Sequence, residues 1–268
     1  TFGLVYHSSL EHFDKARASG ADYETALREA VKHALTETWE EGDKLSPDPD
    51  AARGKPWDSG DTKKNRETLI RSIVWYLEHF KEDNIETVIL PDGKPAVELS
   101  FRMEAGFSFG EYPVLICGHL DRVVDYAGTV YIMDRKTTGS SLSPYYFDGY
   151  APHNQMTLYT LAGKIVYNLP ISGVIIDAAQ ILVGSTNYAR GFTMRTEAQL
   201  EEWLEDFRWW AEQARIYATD NYWPQNDTAC DKFGGCAFRK VCSKSPEVRK
   251  NFLETEFEKN PWNPLETR

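Results

Sequence analysis

The sequence predicts a mixed α/β fold, with helices and strands interleaved around one sheet. Apolar residues recur at helical spacing over 22–41 and again over 196–217. Between these stretches lies a β-rich block over 88–136 with a hairpin signal, followed by a helix and two more strands. The chain has 268 residues, 41% of them apolar and 13% aromatic. That is enough to bury a core without disulfide support, and far from the composition of a disordered chain.

Taken in order, 4–18 and 22–41 read as two helices, the second carrying Leu27, Ala30, Val31, Ala34 and Leu35 on one stripe. Gly42–Asn65, with Ser46, Pro47 and Pro49 and few large apolar residues, reads as one long loop, lid or binding segment. A helix over 66–82 follows, with Leu69, Ile73, Trp75, Tyr76 and Phe80 as its apolar residues. Val88–Leu90, Ala96–Met103 and Val114–Val124 are strands. Asp125–Gly128 is a turn, and Thr129–Lys136 is the return strand. Residues 151–167 form a helix with Leu158, Leu161, Ala162 and Ile165 on one stripe. Val174–Val183 and Tyr188–Met194 are strands. The last long helix, 196–217, turns Leu200, Trp203, Leu204, Phe207, Trp210, Ala211 and Ala214 inward. This divides the chain into a core over 1–225, a cysteine-rich segment over 226–250 and a tail over 251–268.

Charge and composition exclude several classes. The formal net charge is −11, which argues against a nonspecific nucleic-acid coat but not against a nucleic-acid enzyme, whose local field is what matters. No run of about 18 apolar residues is present, so no membrane span is expected. The opening TFGLVYHSSLEHF lacks a basic region followed by an apolar one, so it is not a secretory signal. It also lacks an initiator Met, which suggests a trimmed fragment. Four cysteines in a chain read as cytoplasmic suggest metal or cluster ligation rather than a disulfide framework.

The chemistry concentrates in Gly118-His119-Leu120-Asp121-Arg122-Val123 and Asp134-Arg135-Lys136-Thr137-Thr138. Alternate strand residues share a face, so Asp134 and Lys136 project together, as do His119 and Asp121. The short turn brings the two pairs close. Two carboxylates beside an ammonium make a poor core but suit a hard divalent cation that keeps its waters. Such an ion lowers the pKa of a bound water and screens a phosphate, while a lysine positions that water or neutralises developing charge. A solvated Asp–Lys pair on an edge hairpin is the bland alternative, and D-x-K alone does not decide between them.

The wider pattern resembles the RecB-type branch of the PD-(D/E)XK nuclease superfamily, which includes phage nucleases and CRISPR-associated adaptation exonucleases. Gly3-Leu4-Val5-Tyr6-His7, Gly118-His119-Leu120-Asp121, Asp134-Arg135-Lys136 and Gln155-Met156-Thr157-Leu158-Tyr159 match its G-x-x-x-H, G-x-x-D, (D/E)-x-K and Q-x-x-x-Y motifs, in order. The resemblance implies a restriction-endonuclease-like core, a central mixed sheet flanked by helices. It implies that His7, Asp121, Asp134 and the Arg135 carbonyl hold Mg²⁺ or Mn²⁺, and that Lys136 is the catalytic lysine. It implies that Gln155 and Tyr159, one helical turn apart, contact DNA and support the site. His119 falls at a variable position of the pattern and at most supports Asp121. A glutamate such as Glu98 occurs in relatives without an assigned role. Arg122 is left to pair with Asp134 or Asp121, or to touch phosphate.

Cys230, Cys236 and Cys242 fall together after the last long helix. Many RecB-type nucleases hold a 4Fe–4S cluster with three such cysteines and one upstream of the histidine motif. Here no cysteine precedes His7, and Cys117 lies beside the candidate site. Three readings stay open: a fourth ligand in a missing N-terminal segment, zinc or a cluster with a different fourth ligand, or ordinary thiols. From Asp231 to Lys250, six basic residues (Lys232, Arg239, Lys240, Lys244, Arg249 and Lys250) stand against Asp231 and Glu247, a patch suited to a phosphate backbone.

The expected function is a metal-dependent deoxyribonuclease, an exonuclease on DNA ends or single strands in phage or host DNA recombination, repair or processing, with a helicase or recombination protein as a possible partner. Tyr145, Tyr146 and Tyr159 are candidates for base stacking. The rivals are an inactive nucleic-acid-binding module, an assembly subunit and a site-specific endonuclease. Cleavage lost in Lys136→Ala discriminates the first, activity of the chain alone the second, and cutting of closed circles the third.

Overall fold

Helix α1 (Phe2–Ala18) and α2 (Tyr23–Glu37) form a helical hairpin, with Asp22 Oδ1 capping the second by accepting from Thr25 N at 2.7 Å. These elements come from a computed structural model, which describes residues 2–42, 44, 48–231, 235–261 and 263; Ala51's side chain is not among what is described. Helix α2 ends before residue 41. Thr38 Oγ1 turns back onto Ala34 O at 2.6 Å, and β1 (Trp39–Glu40) leaves extended to pair with β2 (Lys55–Pro56).

The segment expected as one long loop therefore carries regular structure. Helix α3 (Pro49–Arg53) starts at Pro49, which suits a first helical position, and is capped by Asp48. Gly54 follows at φ 77°, where a Cβ would sit 2.3 Å from Glu40 O. The part of that expectation resting on Asp43, Leu45, Ser46 and Pro47 lies outside the described residues. Helix α4 (Arg66–His79) opens on a capping box between Asn65 and Thr68, and stops short of the predicted residue 82.

The sheet then assembles from β3 (Ile85–Thr87), β4 (Val97–Phe109), β5 (Tyr112–Tyr126) and β6 (Thr129–Thr138), followed after a crossover by β7 (Gly173–Ile181) and β8 (Thr186–Thr193). Strands β3 and β4 share one edge of β5, and β6, β7 and β8 continue from the other. All neighbours are antiparallel except β6 and β7. That parallel pair needs a crossover, which α5 (Pro144–Asp148) and α6 (Asn154–Ile165) supply. The strand predicted over 88–90 is corrected. Asp92–Gly93 folds that stretch into a tight loop, with Leu90 N on Lys94 O, and the ladder to β5 lies earlier, at Ile85–Thr87. The β5–β6 turn is Ala127–Gly128, both at positive φ (54° and 81°), as a two-residue hairpin connection requires.

Two glycines of the motifs have a packing reason. Gly118 pairs with Phe101, whose ring lies over it; a Cβ there would meet Phe101 Cζ at 2.8 Å. A Cβ on Gly3 would sit 3.4 Å from Thr137 Oγ1, so the first turn of α1 lies close on β6.

One face of the sheet carries the helical layer of α1, α2 and α4, with Tyr6, Leu10, Leu69 and Ile73 packed against Ala179 and Ile181 of β7. Helix α6 contacts β6 and β7, and a Cβ on its Gly163 would come within 3.1 Å of Ile132 Cδ1. Strand β7 is buried along nearly its whole length, as a central strand covered on both faces must be.

The chain divides into two compact units, Thr1–Trp203 and Leu204–Glu266. The boundary falls within α7 (Glu197–Thr219). The inward face predicted for this helix is only partly realised. Leu200 is buried, but Trp210 is 64% exposed and Ala214 is exposed. Beyond Trp203 the helix belongs to the smaller unit, where Val241 is the one buried apolar side chain among the described residues. That unit continues through a 3-10 turn (Asp227–Ala229), α8 (Arg239–Cys242) and α9 (Pro246–Glu256). No described helix is long and apolar enough to cross a membrane.

Candidate active site

The site forms where the sheet parts. The β5–β6 ladder runs from Tyr126↔Thr129 to Arg122↔Met133 and stops there. The next residue on each strand is a carboxylate, Asp121 on β5 and Asp134 on β6. On the other edge of β5, the register passes from Val97↔Arg122 to Leu99↔Leu120, and the residue between, Glu98, sits at φ 51°. A non-glycine side chain in the left-handed region costs roughly 1–3 kcal/mol and is found where the surroundings over-determine it.

Into the fork, Arg135 N–H donates to Asp121 Oδ2 at 3.0 Å. His7 reaches the same oxygen from α1, with Nδ1 at 3.3 Å. On β6, Lys136 Nζ donates to Asp134 Oδ1 at 3.0 Å and lies 2.7 Å from Oδ2. It also donates to Gln155 Oε1 at 3.1 Å, and Gln155 Nε2 donates to the Tyr159 hydroxyl at 2.8 Å. His153 caps α6, its Nδ1 accepting from Gln155 N at 3.3 Å, and so helps fix the helix end that carries Gln155.

The two carboxylates titrate apart. Burial raises Asp134 to about 6, with Asp121 adding to the rise and Lys136 working against it. Burial also works on Asp121, but His7 and the Arg135 amide outweigh it and hold that carboxyl below its usual range. Tyr159 is pushed up by burial, then by the negative charge of Asp134 and Asp121. Burial, Lys136 and Arg195 lower His153.

The structure thus brings together His7, Asp121, Asp134, Arg135, Lys136, Gln155 and Tyr159. Arg135 presents its backbone N–H to the site, while its guanidinium points to the opposite face and pairs with Asp14 at 2.7 Å. Arg122 does not pair with either site carboxylate; it meets Asp14 at 3.2 Å and Thr87 Oγ1 at 2.9 Å. His119 Nδ1 lies 2.9 Å from Ser100 Oγ on β4. Tyr159 is 8% exposed and offers no open ring face for a base, whereas Tyr145 is 87% exposed.

Sequence reasoning missed the layer behind the site. Asp177, in the middle of β7, accepts from Arg190 Nε at 3.1 Å and from the Tyr76 hydroxyl. Burial pushes Tyr76 up to about 12, and the Asp177 charge adds to it. A lone aspartate in the apolar run VIIDAAQI was the available signal, since a central strand carries a charge only when it is paired.

The donor set suits a divalent cation: two carboxylates and one imidazole, with Lys136 ion-paired to Asp134 beside them. It is not a preformed cage. Among the described residues, no three His, Cys, Asp or Glu side chains converge with ligand geometry. Cys230, Cys236 and Cys242 are likewise free thiols and form no such group, so the described residues give a 4Fe–4S cluster or zinc no support. Of the basic patch, Arg239 pairs with Asp231, Arg249 donates to two backbone carbonyls, and Lys250 lies 3.9 Å from Glu254. Lys232 lies outside the described residues.

Comparison with known proteins gives the class of protein. The family model described as the PD-(D/E)XK nuclease superfamily matches residues 1–243, and the chain belongs to that superfamily of nucleases. A solved structure titled "Crystal structure of SSO0001" is similar at a TM-score of 0.34 and 14% identity, over 66% of this chain and 76% of that one, which is too low to bear on the site. No curated protein matches.

Proposed function

We propose that the chain is a metal-dependent deoxyribonuclease, acting as an exonuclease on DNA ends or single strands. The observation that carries this is the Asp134–Lys136–Gln155–Tyr159 chain beside Asp121 at the fork. Asp121 and Asp134 would hold Mg²⁺ or Mn²⁺, with the His7 imidazole as a further donor. Bound there, the ion supplies charge screening for the phosphodiester and a more acidic water.

The chain's own residues do the rest. An ammonium has three N–H donors. Asp134 and Gln155 take two from Lys136, leaving one to aim at the phosphate or the attacking water. A positive charge fixed there before reaction stabilises the negative charge that builds on the phosphoryl oxygens. Water's oxygen adds to phosphorus, the bond to the leaving sugar oxygen breaks, and that oxygen takes up a proton. Gln155 keeps Lys136 from swinging into solvent, and Tyr159 keeps Gln155 in the amide orientation that accepts from Lys136. The exposed Tyr145 ring, a few residues beyond β6, supports stacking of an unpaired base.

The test is cleavage of end-labelled linear single-stranded DNA beside closed circular DNA, with Mg²⁺, Mn²⁺ or chelator. Loss of the linear substrate only, dependent on metal and absent in Lys136→Ala, is expected. Intact DNA under every condition with folded protein overturns the reading in favour of a binding module. Cutting of circles replaces exonuclease with endonuclease.

A further inference from the structure

A cavity lies on the far side of the strands that carry the site. It encloses about 410 Å³, a size suited to one small molecule. Arg122 and Arg135 line it, and they alternate along β5 and β6 with Asp121, Asp134 and Lys136. By strand alternation the cavity and the candidate active site therefore occupy opposite faces of the sheet.

At the rim two exposed cations, Arg17 and Lys81, outnumber the one exposed carboxylate, Glu86. Deep in the wall, the arginines are matched: Arg122 and Arg135 share Asp14, and Arg190 pairs with Asp177 and Asp83. At the rim, Arg17 and Lys81 are exposed, and neither forms an ion pair among the described residues. Arg17 Nη1 donates only to Ala21 O, at 2.7 Å, and Lys81 Nζ lies over the Tyr23 ring at 4.4 Å. Behind them, Arg135 Nε is buried without a hydrogen bond, with Asp177 Oδ2 at 4.0 Å. Apolar side chains, Phe13, Leu77, Ile85 and Ile89, also line it. A guanidinium and an ammonium at the mouth match a phosphate, and apolar side chains match a flat ring.

We propose that this cavity binds one nucleoside monophosphate, free or as the 5′-terminal residue of a strand, with its phosphate on Arg17 and Lys81 and its base against the apolar side chains. The proposal rests on the nuclease reading only for the choice of a nucleotide among phosphate-bearing ligands. An occupant there presses on the two strands whose other face holds Asp121 and Asp134.

The test is calorimetric titration with dAMP, inorganic phosphate and deoxyadenosine, in chelator, so that neither metal nor turnover contributes. Arg17→Glu with Lys81→Glu is the variant pair, both residues being exposed. Binding of dAMP that falls at least tenfold in the double variant, stays unchanged in Lys136→Ala and exceeds that of deoxyadenosine at least tenfold is expected. A 5′-phosphorylated oligonucleotide binding as tightly as dAMP assigns the strand end as the source; dAMP alone binding assigns the free nucleotide. No dAMP binding at millimolar concentration overturns the proposal. So does dAMP binding unaffected by the double variant, or lost in Lys136→Ala, which moves the nucleotide to the active site. Because no step needs cleavage, failure here is separate from failure of the nuclease assay.

Discussion

Arg135 N–H donates to Asp121 Oδ2 at 3.0 Å, so one strand's carboxylate bonds the next strand's backbone where their ladder has ended. That bond fixes Asp121 without spending its second oxygen. It also gives the fork a definite width, set by a side chain rather than by a ladder pair.

Asp134 is the group whose charge the fold resists. Its folded pKa of about 6 lies above the unfolded carboxylate value, so it contributes stability at low pH that is lost as pH rises through about 6. Asp134→Asn removes that dependence. In chelator, the variant should match the parent near pH 4 and exceed it near pH 7 by an amount on the order of 1–3 kcal/mol; with metal restored, only the parent should cleave DNA. Urea titrations at the two pH values check this, and a stability gap that does not widen with pH contradicts it.

Gln155→Ala frees Lys136 from its second anchor and should lower kcat about tenfold or more with little change in KM, since the contact is to the lysine. Tyr159→Phe removes only the outer bond of the chain and should cost less. Steady-state kinetics on single-stranded DNA distinguish the two; an equal or larger loss for Tyr159→Phe would assign that hydroxyl a direct role.

Asp177→Asn strips the charge that Arg190 and the Tyr76 hydroxyl share. Leaving buried arginines short of a carboxylate costs about 3–5 kcal/mol. A denaturation midpoint within error of the parent's would show that Asp14 and Asp83 suffice.

Glu98→Gly relieves a left-handed backbone position and should stabilise the chain by about 1 kcal/mol. The negative charge of Glu98 also helps to raise Tyr159, which places it in the site's field. Cleavage should therefore fall while the melting temperature rises, and a variant that loses stability would mean that the carboxylate, not the backbone, holds that bend.

The frame of the site was legible in the sequence because its parts are local. Asp134 and Lys136 are two apart on one strand, Gln155 and Tyr159 are one turn apart on one helix, and a two-residue turn joins β5 to β6. What was not legible joins residues distant in the chain. Nothing near Asp14 announces Arg122 and Arg135, and nothing near Tyr76 announces Asp177. Periodicity likewise marked an apolar stripe on α7 but carries no information about what covers it, which is why Trp210 was expected inside. Strand β3 was misplaced because Val88–Leu90 is the more apolar run, while the paired ladder with β5 lies at Ile85–Thr87 and only Val88 N of the predicted run reaches β5, at Val123 O.

Motif notation treats the middle position of D-x-K as interchangeable. Here it is occupied by an arginine whose guanidinium is locked to Asp14 on the first helix. A substitution at either place is tolerated only with a change at the other, so residues 14 and 135 should vary together through descent. Anyone transplanting β6 into another member of the superfamily must carry the helix with it.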